Sequence, residues 1–430
     1  MQPGNAVVVR ADDKGKGMAM GSVAALASPP SAVIVSDAEL QRRFDEYPSL
    51  LVGDTGHAIL DIGSYARAKL RATVFAVTGS AGKTSLVAAL AHVLGAYGPT
   101  GEGRHNANLP HGVSWNLASF GWDLRHVVQE IAIGNMALSS RIARPHVALF
   151  TNILPAHLGE HDTLTDIARA KARLFVGMAA GGVAILNRDM LEWSTVRDEA
   201  VARDLTVLNY GLSDDCDFQL LDYRAQDSRV IARIAGERVE YTLGAASAHM
   251  ALNSLAVLAA ISACDYPLAP GLDRLASIRA LSGRGEAFEV TLNQARMTII
   301  DHAYNANPGS MLAALEHLGA MGGRRVAILG EMAELGPNSR SYHTALAEAV
   351  NRLGIERVHA MGQLYDEFWA NLSPQRRGLR LESVDGVKEL LGSDLAAGDV
   401  VLVKGSHSTG MHKVVDWIKR AGSNVTILDA

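Results

Sequence analysis

Residues 73–97 read TVFAVTGSAGKTSLVAALAHVLGAY, and the rest of the chain is read outward from them. Thr73 to Val77 is β-branched or apolar almost throughout, as in a buried strand. Gly79 and Gly82 break the run. From Lys83 onward Leu86, Val87, Leu90 and Val93 recur at helical spacing. Strand, glycine turn and helix together make the context of a phosphate-cradling loop. The glycines let backbone approach an anion closely. Unpaired N–H groups of the turn and the first helical turn, with the helix dipole, favour negative charge there. The loop therefore predicts that Gly79, Ser80, Ala81, Gly82, Lys83, Thr84 and Ser85 surround a nucleotide's phosphates. Lys83 would serve the β- and γ-phosphates and the Thr84 hydroxyl Mg²⁺. The plain alternative, an ordinary turn with a surface lysine, leaves the flanking pattern unexplained. The loop specifies a nucleoside triphosphate but no particular reaction.

The chain has 430 residues, enough for two or three domains. Its 48% hydrophobic and 20% charged content is that of an ordinary globular protein. A net charge of −5 argues against a general nucleic-acid or membrane-surface binder. No apolar run reaches the length of a membrane span. Cys216 and Cys264 match no metal or redox spacing and read as small buried residues. Ala19 to Ser28 is mildly apolar, but acidic residues precede it and no long apolar core follows, so it does not read as a secretory leader. The expected setting is cytoplasmic, and the expected state monomeric.

Three pieces are predicted. Residues 1–70 form a short α/β segment, with strands at Ala32–Val35 and Leu50–Val52 and helices at Asp37–Tyr47 and Gly56–Lys69. Residues 71–284 form a central P-loop domain with strands at Val127–Ile133, His146–Asn152 and Val183–Leu186 and a helix at Leu164–Met178. Short antiparallel strands follow over 217–243, then helices at Ala248–Ala263 and Gly271–Ala280. Residues 285–430 alternate strand and helix again, predicting a Rossmann-like second sheet. Polar clusters follow five predicted strands: at Glu130, at Asn152 to His157, at Asp301 to Asn307, at Gly330 to Gly336 and at Lys404 to Ser408. Ligands of open α/β sheets bind at such strand ends. A cleft built from three pieces predicts closure on ligands.

Taken singly, several of these residues have ordinary readings. Glu130 supplies a hard oxygen to a nucleotide-bound metal, or is a salt-bridged acid at a strand end. His157 is a metal ligand or a structural histidine. Lys171, in ARAKARLF, has the spacing of an exposed helical lysine.

In combination they carry a resemblance. TGSAGKTS, HNANLPHG, QEIAIGN, TNILPAHL, ARAKARLF, DHAYNANPGSM, LGEMAELGPNSRSYH and LVKGS occur in that order, and the set resembles the Mur ligases from about residue 30 to the C-terminus. The later motifs point to the branch that adds a D-alanyl dipeptide to a nucleotide-linked muramoyl tripeptide in peptidoglycan synthesis. The resemblance implies an ATP-dependent ligase. The γ-phosphoryl group is transferred to a carboxylate, an amine displaces phosphate from the acyl phosphate, and amide, ADP and phosphate result. It implies Mg²⁺ at two positions, with Thr84, Glu130 and Lys171 at the metal centre and His157 on a second ion. Lys171 matches a lysine that reacts with CO₂ to become a carbamate. Asn106 and Asn108 match substrate-side asparagines. His249 and Asn253 match the adenine side, and Arg284 the entry to the last domain. Asp301, Tyr304, Asn305 and Asn307 match the ribose and phosphate side, and Lys404, Ser406 and His407 the incoming amine. Lys83, Lys171, His157 and Lys404 are thus the expected catalytic set.

The sequence departs from the family pattern at Met250, at His302, where an acid is common, and at His407, where an arginine is common. A guanidinium pairs bidentately with a carboxylate in a geometry that imidazole lacks. Only the later half of a nucleotide-sugar-binding first domain is matched. These departures favour a ligase acting on a non-standard acid and amine, such as a natural-product or cell-surface peptide, with the peptidoglycan dipeptide reaction as the alternative. A regulatory P-loop NTPase would use Lys83 and Thr84 but not Lys171, His157 or Lys404. A kinase would leave a stable phosphoryl product and no amide.

Overall fold

The computed structural model describes residues 5–10, 15–155, 163–244, 247–391 and 394–428. Among these, three sheets organise the chain. The first has the order Met18–Ala19, Ala6–Arg10, Ala32–Val35, Ser49–Leu51, with every pairing parallel. Its small core is Val7, Val9, Val23, Val33, Val35, Leu40 and Phe44. Ala6–Arg10 was not expected from the sequence, although its VVV run has β-branched character. The helix expected over 37–47 is only Ala38–Arg42, capped by the Asp37 carboxylate, which accepts from the N–H groups of Glu39 and Leu40.

The second sheet has nine strands, and Thr73–Thr78 lies inside it between Val147–Phe150 and His126–Glu130. Val183–Asn187, Thr206–Gly211 and Phe218–Arg224 continue it in parallel, and Arg229–Ile234 and Glu237–Thr242 close it as an antiparallel edge. Both faces are covered, so its central strands carry continuous apolar runs rather than alternation. One face packs on the helices Lys83–Leu94 and Ala248–Ser262, whose buried residues include Leu86, Leu90, Leu255 and Leu258. The other packs on Pro110–Ser119, Met136–Ala143 and Leu164–Ala172. Helix Thr55–Lys69 lies on Pro110–Ser119, with Gly63 closely against Ser114, and so packs on the layer around the second sheet.

The third sheet has the order Arg377–Leu381, Arg357–Met361, Arg324–Gly330, Asp399–Lys404, Ala295–His302, Glu286–Leu292, Ser423–Ile427. It is parallel from its first strand to Ala295–His302 and antiparallel beyond. The alternating α/β expectation is met. Glu286–Leu292 and Thr206–Gly211 are strands that the sequence reading left unassigned. No helix among the described residues is long and apolar enough to cross a membrane.

Candidate active site

The carboxyl ends of the second and third sheets face one cavity of about 700 Å³. Ser80 to Ser85 line it from the loop after Thr73–Thr78. Gly79 has φ +145° and Gly82 φ +78°, so both hold backbone that only glycine adopts freely. A Cβ on Gly79 would also overlap the Thr151 hydroxyl. The loop is pinned from the neighbouring strand end. Asn152 Oδ1 accepts from the Ala81 N–H at 2.9 Å, and Thr151 Oγ1 donates to the Ala81 carbonyl at 2.6 Å. The Ser80 hydroxyl accepts from the Leu154 N–H at 2.9 Å.

Lys83 Nζ and Lys171 Nζ both donate to the Gly79 carbonyl, at 3.0 and 3.1 Å. Lys171 is not the exposed helical lysine that its spacing suggests. It is only 2% exposed, on the buried side of its helix with Ile167, Ala168 and Ala172 and under the Gly79 carbonyl. Burial first, and then the neighbouring charge of Lys83, holds its ammonium well below the usual lysine range. Burial also lowers Lys83, partly offset by Glu130. Glu130, at the end of its strand, accepts from the Thr84 hydroxyl on one oxygen and from Asn108 Nδ2 at 2.8 Å on the other. Asn108 in turn donates to Asn106 Oδ1 at 2.9 Å, and Asn106 holds φ +53°. A carboxylate and a hydroxyl side by side next to the phosphate loop form the hard-oxygen pair that Mg²⁺ prefers. His157 lies outside the described residues.

The third sheet supplies the opposite wall: Arg284, Tyr304, Asn305, Asn307 and Lys404 line the same cavity. The Arg284 guanidinium lies 4.0 Å over the Tyr304 ring. Asn307 caps helix Pro308–Ala320 and reaches across to the Ser80 carbonyl at 3.4 Å, tying the two walls together. Lys404 Nζ donates to the Asn305 carbonyl at 2.8 Å. Burial, with Arg284 nearby, pushes it down to about 7. His249 and Asn253 line the cavity from the first turns of their helix. Met250 is buried in the core, and Asn253 Nδ2 points at its sulfur, 3.7 Å away.

Five expected residues do not line the cavity: Gly79 and Lys171, which meet through the Gly79 carbonyl behind the loop, and Asp301, Ser406 and His407. The Asp301 oxygens accept from the N–H groups of Gly283, at 2.7 Å, and Ala303, at 3.0 Å, so its carboxylate braces the junction before the third sheet. The Ser406 hydroxyl accepts from the Ala333 N–H at 2.8 Å and donates to the Ala306 carbonyl at 3.2 Å. His407 is exposed and stacks on His412, centroids 4.3 Å apart. Conversely, Asn152, Asn187 and His302 line the cavity without having been chosen from the sequence as site residues. Asn152 could have been found, since it begins the polar cluster after an apolar strand.

Comparison with known proteins agrees with this geometry. Residues 77–261 match the Mur ligase middle domain, and residues 286–407 match the Mur ligase, glutamate ligase domain. The UDP-N-acetylmuramoyl-tripeptide–D-alanyl-D-alanine ligase of Escherichia coli K12 is 29% identical over 384 residues, covering 88% of this chain and 84% of the relative. The ligase of the same name from Mycobacterium tuberculosis is 30% identical over 376 residues, covering 80% and 72%. Among solved structures, MurF from Acinetobacter baumannii superposes with a TM-score of 0.79 at 26% identity, covering 92% of this chain and 86% of its own. The MurF ligase of Thermotoga maritima, solved in complex with ADP, shares the fold with a TM-score of 0.80 at 23% identity, covering 97% and 95%. A phosphate loop, a carboxylate–hydroxyl pair and two facing cationic walls thus occur in a chain that belongs to the Mur ligase family of ATP-dependent, amide-bond-forming enzymes.

Proposed function

We propose that the chain joins D-alanyl-D-alanine to a UDP-N-acetylmuramoyl tripeptide. The observation that carries this reading is the convergence of Lys83, Thr84 and Glu130 on one wall with Arg284 and Lys404 on the other, around one cavity. The names of the relatives favour this reaction over a non-standard acid and amine, and nothing in the comparisons supports the latter. The working division of the chain is 1–70, 71–284 and 285–430.

A carboxylate does not react with an amine directly, because oxide is a poor leaving group. Its oxygen attacks the γ-phosphorus of ATP and ADP departs. The amine nitrogen then attacks the acyl carbon, phosphate leaves, and the nitrogen loses its proton. Catalysis of the first step is largely positioning and charge neutralisation. Loop N–H groups and Lys83 orient the phosphates, while Arg284 and Lys404 face them from the third sheet. Thr84 and Glu130 are the residues that would hold Mg²⁺, which supplies neutralisation of charge on the β- and γ-oxygens. His157 is assigned to a second ion from its motif alone. Asn108 holds Glu130 and is itself tied to Asn106, and both asparagines face the acid. Tyr304, Asn305, Asn307, His249 and Asn253 surround the nucleotide. In this reading the acid and amine are small molecules or peptides, and the enzyme works in the cytoplasm.

Lys171 is proposed to act as a carbamate. The ammonium first loses a proton, and the neutral amine then adds to CO₂, forming a N–C bond and releasing a second proton, so that a cation becomes an anion near Thr84 and Glu130. Its depressed basicity supports this, because only the neutral amine is nucleophilic.

The test is direct. Full-length protein is incubated with Mg²⁺, ATP, the UDP-linked tripeptide and D-alanyl-D-alanine, with phosphate release and product mass followed together. The expected result is phosphate release that needs both acid and amine, and a product heavier by one dipeptide. ATP turnover without either substrate would point to an NTPase. Turnover only with other acids or amines from a mixed pool would overturn the substrate assignment.

A further inference from the structure

An amine that attacks an acyl phosphate arrives as a cation. A peptide α-amine titrates at about 7.7–8.0 and is mostly ammonium at neutral pH. Among the described residues lining the cavity, the cations are Lys83, Arg284 and Lys404, and the carboxylates are Glu130 and Glu334. His249 and His302 line it too, and burial holds both imidazoles below their usual range. The cations suit the phosphates of a nucleotide. Glu130 is taken by the Thr84 hydroxyl and by Asn108 on the second-sheet wall. Glu334 stands on the other wall, in the loop after strand Arg324–Gly330, and none of the steps above uses it.

The backbone at Glu334 is strained. Its φ is +62°, and of the described non-glycine residues with positive φ only Glu334 and Asn106 line the cavity. Asparagine tolerates the left-handed region through its short polar side chain, and glutamate has no such local gain. Strain of this kind persists only where the surroundings over-determine it. Met332 and Leu335, on either side, are buried in the third-sheet core. The Met332 N–H donates to His343 Nε2 at 2.9 Å, and the Ala333 N–H to the Ser406 hydroxyl at 2.8 Å. The Ser406 N–H in turn donates to the Glu331 carbonyl at 3.0 Å. The same hydroxyl donates to the Ala306 carbonyl, and Ser406 follows the strand that carries Lys404. One buried side chain thus ties together three strand-end loops of the third sheet. Ser406, itself outside the lining, fixes the turn that presents Glu334.

We infer that the Glu334 carboxylate, held in place by Ser406, receives the ammonium of the incoming amine. This rests on the ligase reaction proposed above and adds the group that recognises its second substrate. Lys404 and Arg284 on the same wall repel an ammonium, so an anion is needed there for the amine to settle. A carboxylate–ammonium contact is charge-assisted and stronger than a neutral hydrogen bond. It selects an α-amino compound over an alcohol or thiol of the same shape, which the cations of that wall cannot do. Glu334 is a binding residue in this scheme, and Ser406 a positioning residue that acts through it.

The experiment compares wild type with Glu334→Gln, both full-length, with ATP, Mg²⁺, the UDP-linked tripeptide and one of two nucleophiles. At about pH 7 D-alanyl-D-alanine is mostly ammonium, whereas hydroxylamine is largely neutral and intercepts an acyl phosphate as a hydroxamate. The expected result is a rise of roughly tenfold or more in the KM for the dipeptide, the size of losing one hydrogen bond to a charged group. Hydroxamate formation and the KM values for ATP and the tripeptide should stay at wild-type levels. Glu334→Gly, which suits φ +62°, is expected to raise the dipeptide KM and also to raise Tm by about 1–2 °C. An unchanged dipeptide KM in Glu334→Gln would overturn the inference. So would hydroxamate formation that falls in step with amide formation, or a lower Tm in Glu334→Gly, since either means that the side chain braces the loop. A wild-type protein that forms neither amide nor hydroxamate would instead remove the ligase reading beneath it.

Discussion

Gly79→Ala is the sharpest perturbation of the phosphate loop. The new methyl would meet the Thr151 hydroxyl in a backbone conformation at φ +145°. Thr151 cannot simply withdraw, because its hydroxyl donates to the Ala81 carbonyl at 2.6 Å. Forcing a β-carbon into this region costs about 1–3 kcal/mol. Losing the Thr151 bond costs about 0.5–1.5 kcal/mol more. The sum, about 1.5–4.5 kcal/mol, is a roughly 10- to 2,000-fold rise in local opening. The Gly79 carbonyl also holds both Lys83 and Lys171, so ATP affinity should fall at least about tenfold, equivalent to losing one such contact. Native-state hydrogen exchange in Thr73–Thr78 and Lys83–Leu94 reads the first effect, and calorimetric ATP titration the second. Thr151→Ala in the Gly79→Ala background removes the overlap but not the backbone strain. The double variant should therefore be more stable than the sum of the singles, by about 1 kcal/mol or more. Unchanged exchange in Gly79→Ala, or strictly additive effects, would refute the close-approach reasoning.

Lys171→Ala should lose roughly 100-fold or more in kcat, the scale of removing one electrostatic stabiliser from a reaction centre. Partial rescue by formate or acetate, measured as phosphate release, is the expected mark of a carbamate, and a fully active variant would remove Lys171 from the mechanism. Lys83→Ala should abolish measurable ATP binding in calorimetry, while wild-type affinity would make the loop an ordinary turn. Lys404 is 3% exposed with its basicity lowered to about 7, so its charge opposes folding and stability should rise from pH 7 toward 10.5. Lys404→Met should gain up to about 4 kcal/mol at pH 7, lose that advantage as pH approaches 10.5, and fail to form amide. Urea titrations at the two pH values decide it, and a variant less stable than wild type at pH 7 would contradict the burial argument.

The residues Thr73 to Val93 by themselves determined a strand, a glycine turn and a helix, because their apolar spacing and their glycines act within a few residues of one another. The same local character made Lys83 and Glu130 legible as site candidates, since one begins a helix and the other ends a strand whose period is plain in the sequence; Asn108 is picked out only by the resemblance of its motif. Strands such as Glu286–Leu292 were harder, since their weak alternation of buried and half-buried positions acquires meaning only against the partner strands Ala295–His302 and Ser423–Ile427. The direction of individual side chains was decided by the tertiary structure alone. Asp301 and His302 are neighbours on one strand and point to opposite faces, so the carboxylate binds the Gly283 and Ala303 backbone while the imidazole lines the cavity. Ser406 is likewise claimed by Ala333 and Ala306, residues far from it in the chain. Lys171 has an exposed residue's spacing and a buried residue's environment, because the loop at Gly79, 92 positions away, folds over it. Spacing fixes which face of an element a residue occupies; what that face meets depends on contacts between segments that the order of residues does not show.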